Sequence, residues 1–296
     1  MIQDKGRERV RAVILHTFFI LLSAVFIVPM LSVVFISFTS EASISSDGYP
    51  FFFREFDLSA FKFILKNPTT ILNAYKVTIL VSFIGTVSYL LLASMAAFAI
   101  SRPGFKYKKS ITFYFFFTML FNGGLVPSYI LMTQVLNLKN TYAAMIFPLL
   151  VNVWYLIMLK TFMMDIPNEI IESARMDGAG NGTIYWKFVL PLSKPALATV
   201  GLLTLLDYWN SWQPAMLYID DKEMYPLQYM LQVMLRNIIE ILKQMQNNIS
   251  VAPGQSIPSE SVRMAMCLLA VGPMLFIFPF FQKYFTRGLT VGAVKG

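Results

Sequence analysis

Long apolar runs alternate with short polar connections along this chain, and six runs approach the roughly 20 residues that a helix needs to cross a hydrocarbon core. They cover Ala12–Phe38, Val77–Ile100, Ile111–Val135, Tyr142–Met163, Pro195–Leu217 and Met264–Phe281. The third is interrupted by Asn122-Gly123-Gly124 and Pro127, the fifth by Asp207 and Asn210. Such interruptions are tolerated in a membrane where the backbone faces protein or a wet cavity. The pattern predicts an all-α, polytopic membrane protein with six transmembrane helices. A signal peptide does not fit the first run, which is too long and has no small-residue cleavage site after it, so it stays as an anchor.

Two connections are long enough to hold structure. One runs from Thr39 to Asn73, and its aromatic "YPFFFREF" suits a membrane interface. Within the other, residues 218–263, Leu227, Met230, Leu231, Met234, Ile238, Ile241, Leu242 and Met245 recur at helical spacing. Arg236, Glu240 and Lys243 argue for an amphipathic surface helix there and against a seventh span. "NNIS" at 247–250 matches a glycosylation acceptor, a pattern too frequent by chance to carry weight.

Composition agrees with the pattern: 56% of the 296 residues are hydrophobic and 14% charged, against roughly 25% charged in a soluble domain. The net charge of +8 lies in short clusters beside the apolar runs, not on one face, which excludes a nucleic-acid partner. Those clusters orient the chain, because cytoplasmic connections hold the excess of Lys and Arg. Fifteen of the 24 basic residues fall in the N-terminus, the "SRPGFKYKKS" loop, the region around 160–194 and the tail. Both termini are therefore expected in the cytoplasm. The expected division is a cytoplasmic N-terminus (1–11), a six-span domain (12–288) with a cytoplasmic loop at 164–194 and an extracytoplasmic loop at 218–263, and a cytoplasmic tail (289–296). The glycines of "TRGLTVGAVKG" are expected to break the last helix, leaving a tail that either lies on a partner or is disordered.

One cysteine, Cys267, and one histidine, His16, both in apolar runs, allow no internal disulfide and no metal site. Neither a Ser/His/Asp set nor a pair of acids within the spans can be assembled, so the chain is not expected to be an enzyme. "GAGNGT" at 178–183 lacks the Gly-Lys-Ser/Thr ending of a phosphate-binding loop.

The stretch "DIPNEIIESARMDGAGNGTIYWKFVLP" is polar and glycine-broken between two apolar runs. Pro167 suits a first helical turn, and Glu169 and Glu172 sit where the helix dipole favours acids. Ile166, Ile170, Ile171 and Ala174 make an apolar stripe. Gly178 to Gly182 stop that helix, and Thr183 is placed to cap a second short one. Pro191 and Pro195 lead into the fifth run. The product is a compact helix-turn-helix suited to docking another protein.

Glu172-Ser173-Ala174, then Gly178, then Phe188 after nine residues and Leu190-Pro191, resembles the EAA motif of ATP-binding-cassette importer permeases, departing at Ser173 and Phe188. "LLDYWNSWQPAMLYI", the C-terminal "IPSESVRMAMCLLAVGPMLF" and "FNGGLVP" are similar to carbohydrate-uptake permeases of the maltose type. Among these, "FNGGLVP" is most similar to the subgroup importing complex or uronic-acid oligosaccharides, alginate permeases included. The resemblance covers the chain from about residue 12 onward and implies the type I importer permease fold in a bacterial cytoplasmic membrane. It further implies a second homologous permease, two cytoplasmic ATPase subunits that bind ATP and Mg, an extracytoplasmic solute-binding protein and a sugar cargo. No cofactor is implied for this chain itself. Its ATPase-coupling residues would be Glu172, Ser173, Ala174, Asp177, Gly178, Ala179, Leu190 and Pro191. Glu172 would pair with a base of the ATPase, Ala174 would allow close approach and Gly178 would supply the bend.

Polar and aromatic residues within spans are the candidates for the cargo path, since an ionisable group in the bilayer is costly unless it faces a cavity or a partner. They are Asn122, Asn152, Asp207, Tyr208, Trp209, Asn210, Trp212 and Gln213. Interhelical hydrogen bonding uses the same residue types, and the sequence leaves both roles open. Asp207, the sole acid in the six runs, would repel an acidic sugar if ionised. An ion-coupled secondary transporter is the competing class; it would be expected to show mid-membrane coupling groups and an internal repeat, and no repeat is visible.

Overall fold

The computed structural model describes residues 4–50, 52, 55–247 and 259–293. In chain order the helices are α1 (Asp4–Ser37), α2 (Glu41–Asp47), α3 (Ser59–Ile64), α4 (Pro68–Ser101), α5 (Lys108–Leu120), α6 (Leu125–Ile130), α7 (Tyr142–Ile146), α8 (Val153–Met164), α9 (Asn168–Met176), α10 (Asn181–Ile184), α11 (Leu190–Leu192), α12 (Lys194–Asn210), α13 (Gln213–Tyr218), α14 (Leu227–Asn247) and α15 (Glu260–Ala293). A π-helical turn extends α6 through Val135, and another joins α10 to α11 over Tyr185–Val189. The single strand-like pairing among the described residues is an antiparallel bridge between Thr39 and Phe56.

Three stretches, Val10–Ser37, Pro68–Ser101 and Glu260–Gln282, are long and apolar enough to cross a membrane unaided. Three further spans are bent pairs: Lys108–Leu120 with Leu125–Val135 (110°), Tyr142–Leu149 with Val153–Met164 (55°), and Asn181–Leu192 with Lys194–Asn210 (77°). Counting each bent pair once gives six spans in an all-α chain, as the hydropathy pattern predicts. The break in the third run falls at Asn122-Gly123-Gly124, as expected. The fourth run, continuous in hydropathy, also breaks, at Leu150–Asn152, where Asn152 caps a new helix. In the fifth run α12 ends at Asn210, so α13 is a separate helix beyond the break at Ser211-Trp212.

Other boundaries move as well. α4 begins at Pro68, so the connection after α1 is shorter than the 39–73 read from hydropathy. Its 34 residues make about 51 Å of helix, well beyond a 30 Å core. The last helix passes through Gly288 and Gly292 to Ala293 and is not broken there. Glycine is common within membrane helices, where neighbouring backbone bonds satisfy the peptide groups. Asn248 to Ser250, the whole of the acceptor tripeptide, and Phe51, Phe53 and Arg54 of the aromatic stretch lie outside the described residues.

The chain divides into two compact units, Met1–Pro68 with Val233–Gly272 and Thr69–Gln232 with Pro273–Gly296. In the first, Ser40 caps α2 by accepting from the Ser43 N–H (3.3 Å), and Gly48 ends it at φ +79°. Glu41 then reaches across more than 200 residues of sequence to the start of α15. Its carboxylate accepts from the N–H groups of Glu260 and Ser261 (both 3.1 Å) and from the hydroxyls of Ser259 (3.0 Å) and Ser261 (2.9 Å). The positive end of a 34-residue helix thus gains both a counter-charge and partners for its first N–H groups. Burial works to raise the Glu41 pKa, but these four hydrogen bonds outweigh it and hold the carboxyl below its ordinary 4.5. Glu41→Ala is expected to destabilise the folded protein by about 1–2 kcal/mol, a cap-sized loss kept modest by solvent screening. Because the folded pKa is depressed, the contribution of Glu41 is complete above pH 4.5 and disappears as pH falls through the lower folded value. Thermal unfolding of parent and Glu41→Gln should therefore differ at pH 7 and converge in acid.

In the second unit one apolar core runs from the polar segment into the spans. Tyr89, Ala93 and Ala97 of α4, Leu159 and Met163 of α8, Ile171 and Ala174 of α9, Ile184 of α10, Val189, and Ala196 and Val200 of α12 are all buried in it. A second cluster joins Val77, Val81, Met145, Ile146, Tyr208, Ala215 and Ile219. Small residues allow these contacts: a Cβ on Gly85 would lie 2.4 Å from Cζ of Tyr208. The Thr78 hydroxyl accepts from the Leu227 N–H at 2.7 Å, fixing where α14 begins. Along α14, Leu227, Met230, Leu231 and Ile238 are buried, as the spacing predicts, whereas Ile241 is exposed.

Candidate functional site

Residues 167–191 fold as a bent helical segment. Pro167 stands just before α9 in an extended conformation, and α9 closes in a Schellman motif. The Gly178 N–H donates to the Arg175 carbonyl and the Ala179 N–H to the Ala174 carbonyl, each at 2.9 Å. Gly178 has φ +80°, a left-handed conformation that favours glycine. The second helix starts at Asn181 after Gly180, with no side-chain cap. Thr183 therefore lies inside the helix, because the chain turns helical three residues earlier than expected. The π-helical turn that follows anchors the segment: Tyr185 and Ser94 of α4 share a buried hydroxyl hydrogen bond of 2.7 Å, and the Tyr185 ring packs on Phe98 at 5.5 Å.

The eight residues expected to couple divide into two sets. Glu172, Ser173, Asp177, Gly178 and Pro191 are exposed, Ala179 and Leu190 half-buried, and Ala174 is buried in the core beneath. Ala174 thus allows α9 to lie close against the chain's own helices, and the close approach to a partner expected of it is not available to its side chain. Beside α9, Arg102 is buried; its Nη2 donates to the Met163 carbonyl and its Nε to the Ser101 hydroxyl. Sequence reading counted Arg102 only as a basic residue in a loop.

Two cavities open along the bent spans. The first, about 760 Å³, is lined by Asn122, Ser128, Asp207, Asn210, Trp212 and Gln213 among others. The second, about 660 Å³, is lined by Tyr114, Asn152, Trp154, Tyr155, Asp207 and Tyr208 among others. Asp207, Pro148 and Leu149 belong to both walls, and neither wall contains a Lys or Arg among the described residues. The structure therefore brings seven of the eight candidates onto these cavities, joined through Asp207. Trp209 is on neither wall and is buried.

Several candidates spend polar atoms on structure. Asn122 Oδ1 accepts from the Gly124 N–H (2.8 Å) and forms the bend after α5. Asn152 Oδ1 caps α8 by accepting from the Trp154 N–H (3.1 Å), and its carbonyl accepts from the Tyr89 hydroxyl (2.7 Å). The Tyr208 hydroxyl donates to the Ile146 carbonyl at 2.9 Å. Asn210 donates back to the Leu206 carbonyl (2.9 Å) and accepts from Gln228 (3.3 Å). Trp212 and Gln213, at the break between α12 and α13, have no such local duty among the described residues. Tyr155, which shares the wall of the second cavity with Asp207, and the exposed Trp154 were missed from sequence. The signal for both was the Asn152 cap, which places the first turn of α8 at the break.

No family model matches the chain. Full-length relatives do. The chain is 33% identical over 291 residues to the polygalacturonan/rhamnogalacturonan transport system permease protein YtcP of Bacillus subtilis, covering 98% of this chain and all of that one. It is 27% identical to the arabinooligosaccharides transport system permease protein AraQ of Halalkalibacterium halodurans, covering 94% of each. A chain in the crystal structure of a bacterial ABC transporter involved in the import of the acidic polysaccharide alginate matches with a TM-score of 0.77 and 28% identity, over 96% of this chain and 98% of that one. Such permeases are non-enzymatic membrane components whose ATP is bound by partner ATPases. This chain belongs to the permease subunits of sugar-importing ABC transporters.

Proposed function

We propose that the chain is one of two permease halves of a bacterial importer whose cargo is an oligosaccharide delivered by an extracytoplasmic solute-binding protein. Residues 164–194 face the cytoplasm with both termini, and the exposed Glu172–Gly178 face docks an ATPase subunit. The observation that carries this reading is the continuous core joining that face to the cavity-bearing spans: Ile171 and Ala174 beneath the docking face share one cluster with Leu159 and Val200. Close-packed interiors transmit displacement with little compression, so movement of α9 repositions α8 and α12. ATP hydrolysis stays with the partner.

The cavity walls supply what a neutral sugar needs. Trp212 offers a ring face and Gln213 an amide, Asn122 and Asn210 the amide hydrogens that their structural bonds leave over, and Asp207 and Tyr155 a carboxyl and a hydroxyl. Trp212→Ala is expected to lower sugar uptake by the reconstituted importer about tenfold, equivalent to losing ~1.4 kcal/mol of contact, with ATPase association unchanged. Uptake equal to the parent's would remove Trp212 from the path, and loss of assembly would make it structural.

A further inference from the structure

We propose that a third cavity, walled by Arg102 and Arg175, is a receptor for a carboxylate side chain of the ATPase partner. This rests on the docking role of α9. The cavity, about 420 Å³, lies between the end of α4 with the loop that follows it (Phe98, Arg102, Phe105) and the α9 segment (Glu172, Arg175, Asn181). Arg102 is more than nine-tenths buried, and its charge sits over the Phe98 ring at 5.4 Å. Its Nε and Nη2 are bonded to Ser101 and Met163, while Nη1 has no protein acceptor among the described residues. Arg175, exposed on α9, has as its side-chain partner among the described residues a 3.5 Å contact to Asn181 Oδ1.

Neither guanidinium is in an ion pair among the described residues, although Glu172 shares the cavity wall. Burial, and after it the charge of Arg175, pushes the Arg102 pKa below its ordinary value. Two cations thus border one cavity against the single carboxylate of Glu172, with no ion pair formed, and the net positive charge left over is one that a bound anion relieves. Guanidinium groups match a carboxylate in forked geometry. The cavity is continuous with the exposed face carrying Glu172, so a subunit that offers a base to Glu172 is positioned to offer an acid here. The interface would then be charged in both senses, which fixes register as well as affinity.

The test is retention of the ATPase by the purified, complete importer during gel filtration at rising salt. Arg175 is exposed, so Arg175→Glu leaves the fold intact. The variant is expected to weaken ATPase retention at least tenfold, more than Arg175→Ala does, and one Asp→Lys or Glu→Lys change on the ATPase surface facing α9 should restore it. Retention equal to the parent's, with the same salt dependence, would overturn the inference, as would loss of bound anionic lipid with the ATPase still held. If Glu172→Ala uncouples hydrolysis while Arg175→Glu is silent, only the cavity inference fails. If both are silent, the docking role of α9 fails with it.

Discussion

Gly85→Ala is expected to deplete the folded protein from membranes by at least tenfold, although it adds one methyl group. The new Cβ would lie 2.4–2.7 Å from three atoms of the Tyr208 ring, closer than any real contact permits. The ring cannot simply swing aside. It is 2% exposed, packed in the cluster with Val81, Met145 and Ile146, and its hydroxyl is held by the Ile146 carbonyl. Overpacking of this kind costs about 1–3 kcal/mol, and breaking the Tyr208 bond strands a buried polar group for another ~1–3 kcal/mol. Against a typical stability of about 5–15 kcal/mol, that is a large share. The quantity of monodisperse protein extracted from membranes measures it. Combining Gly85→Ala with Tyr208→Val, which removes the ring, should recover much of the loss; a single variant as abundant as the parent would show that α4 and α12 do not pack this closely.

How far the sequence carried the fold depends on how local each cause is. Asn122-Gly123-Gly124 announces the break after α5 because amide and glycines act on their own backbone. Asn152 does the same before α8, yet it sits in "LLVNVWYL", where the surrounding apolar residues mask it in a hydropathy window. The stripe Ile166, Ile170, Ile171, Ala174 was legible from helical spacing, and that spacing, not the motif, placed Ala174 correctly in the core. Contacts between distant residues were not legible. Nothing near Glu41 names Ser259 and Ser261 as its partners, and nothing near Tyr208 names Gly85 as the residue its ring packs against. All the cargo-path candidates but Trp209 line the cavities of the bent spans; which of them hold helices together is decided by neighbours far along the chain.

The central claim is that the bent segment couples ATP hydrolysis to transport, and it predicts a second large effect. Gly178 occupies the left-handed position that lets Ala179 bond back to Ala174. Valine there costs about 1–2 kcal/mol locally and disfavours the turn that sets where Glu172 and Asp177 face. Glu172→Ala removes the exposed acid without disturbing the helix. The decisive measurement is binding-protein-stimulated ATP hydrolysis, together with sugar uptake, by the complete importer in proteoliposomes carrying the parent chain, Gly178→Val or Glu172→Ala. The account predicts that hydrolysis in both variants no longer responds to loaded binding protein and that uptake falls more than tenfold while the spans stay folded. Stimulated hydrolysis and uptake at the parent's level in both would contradict it and reduce the segment to a connection between helices.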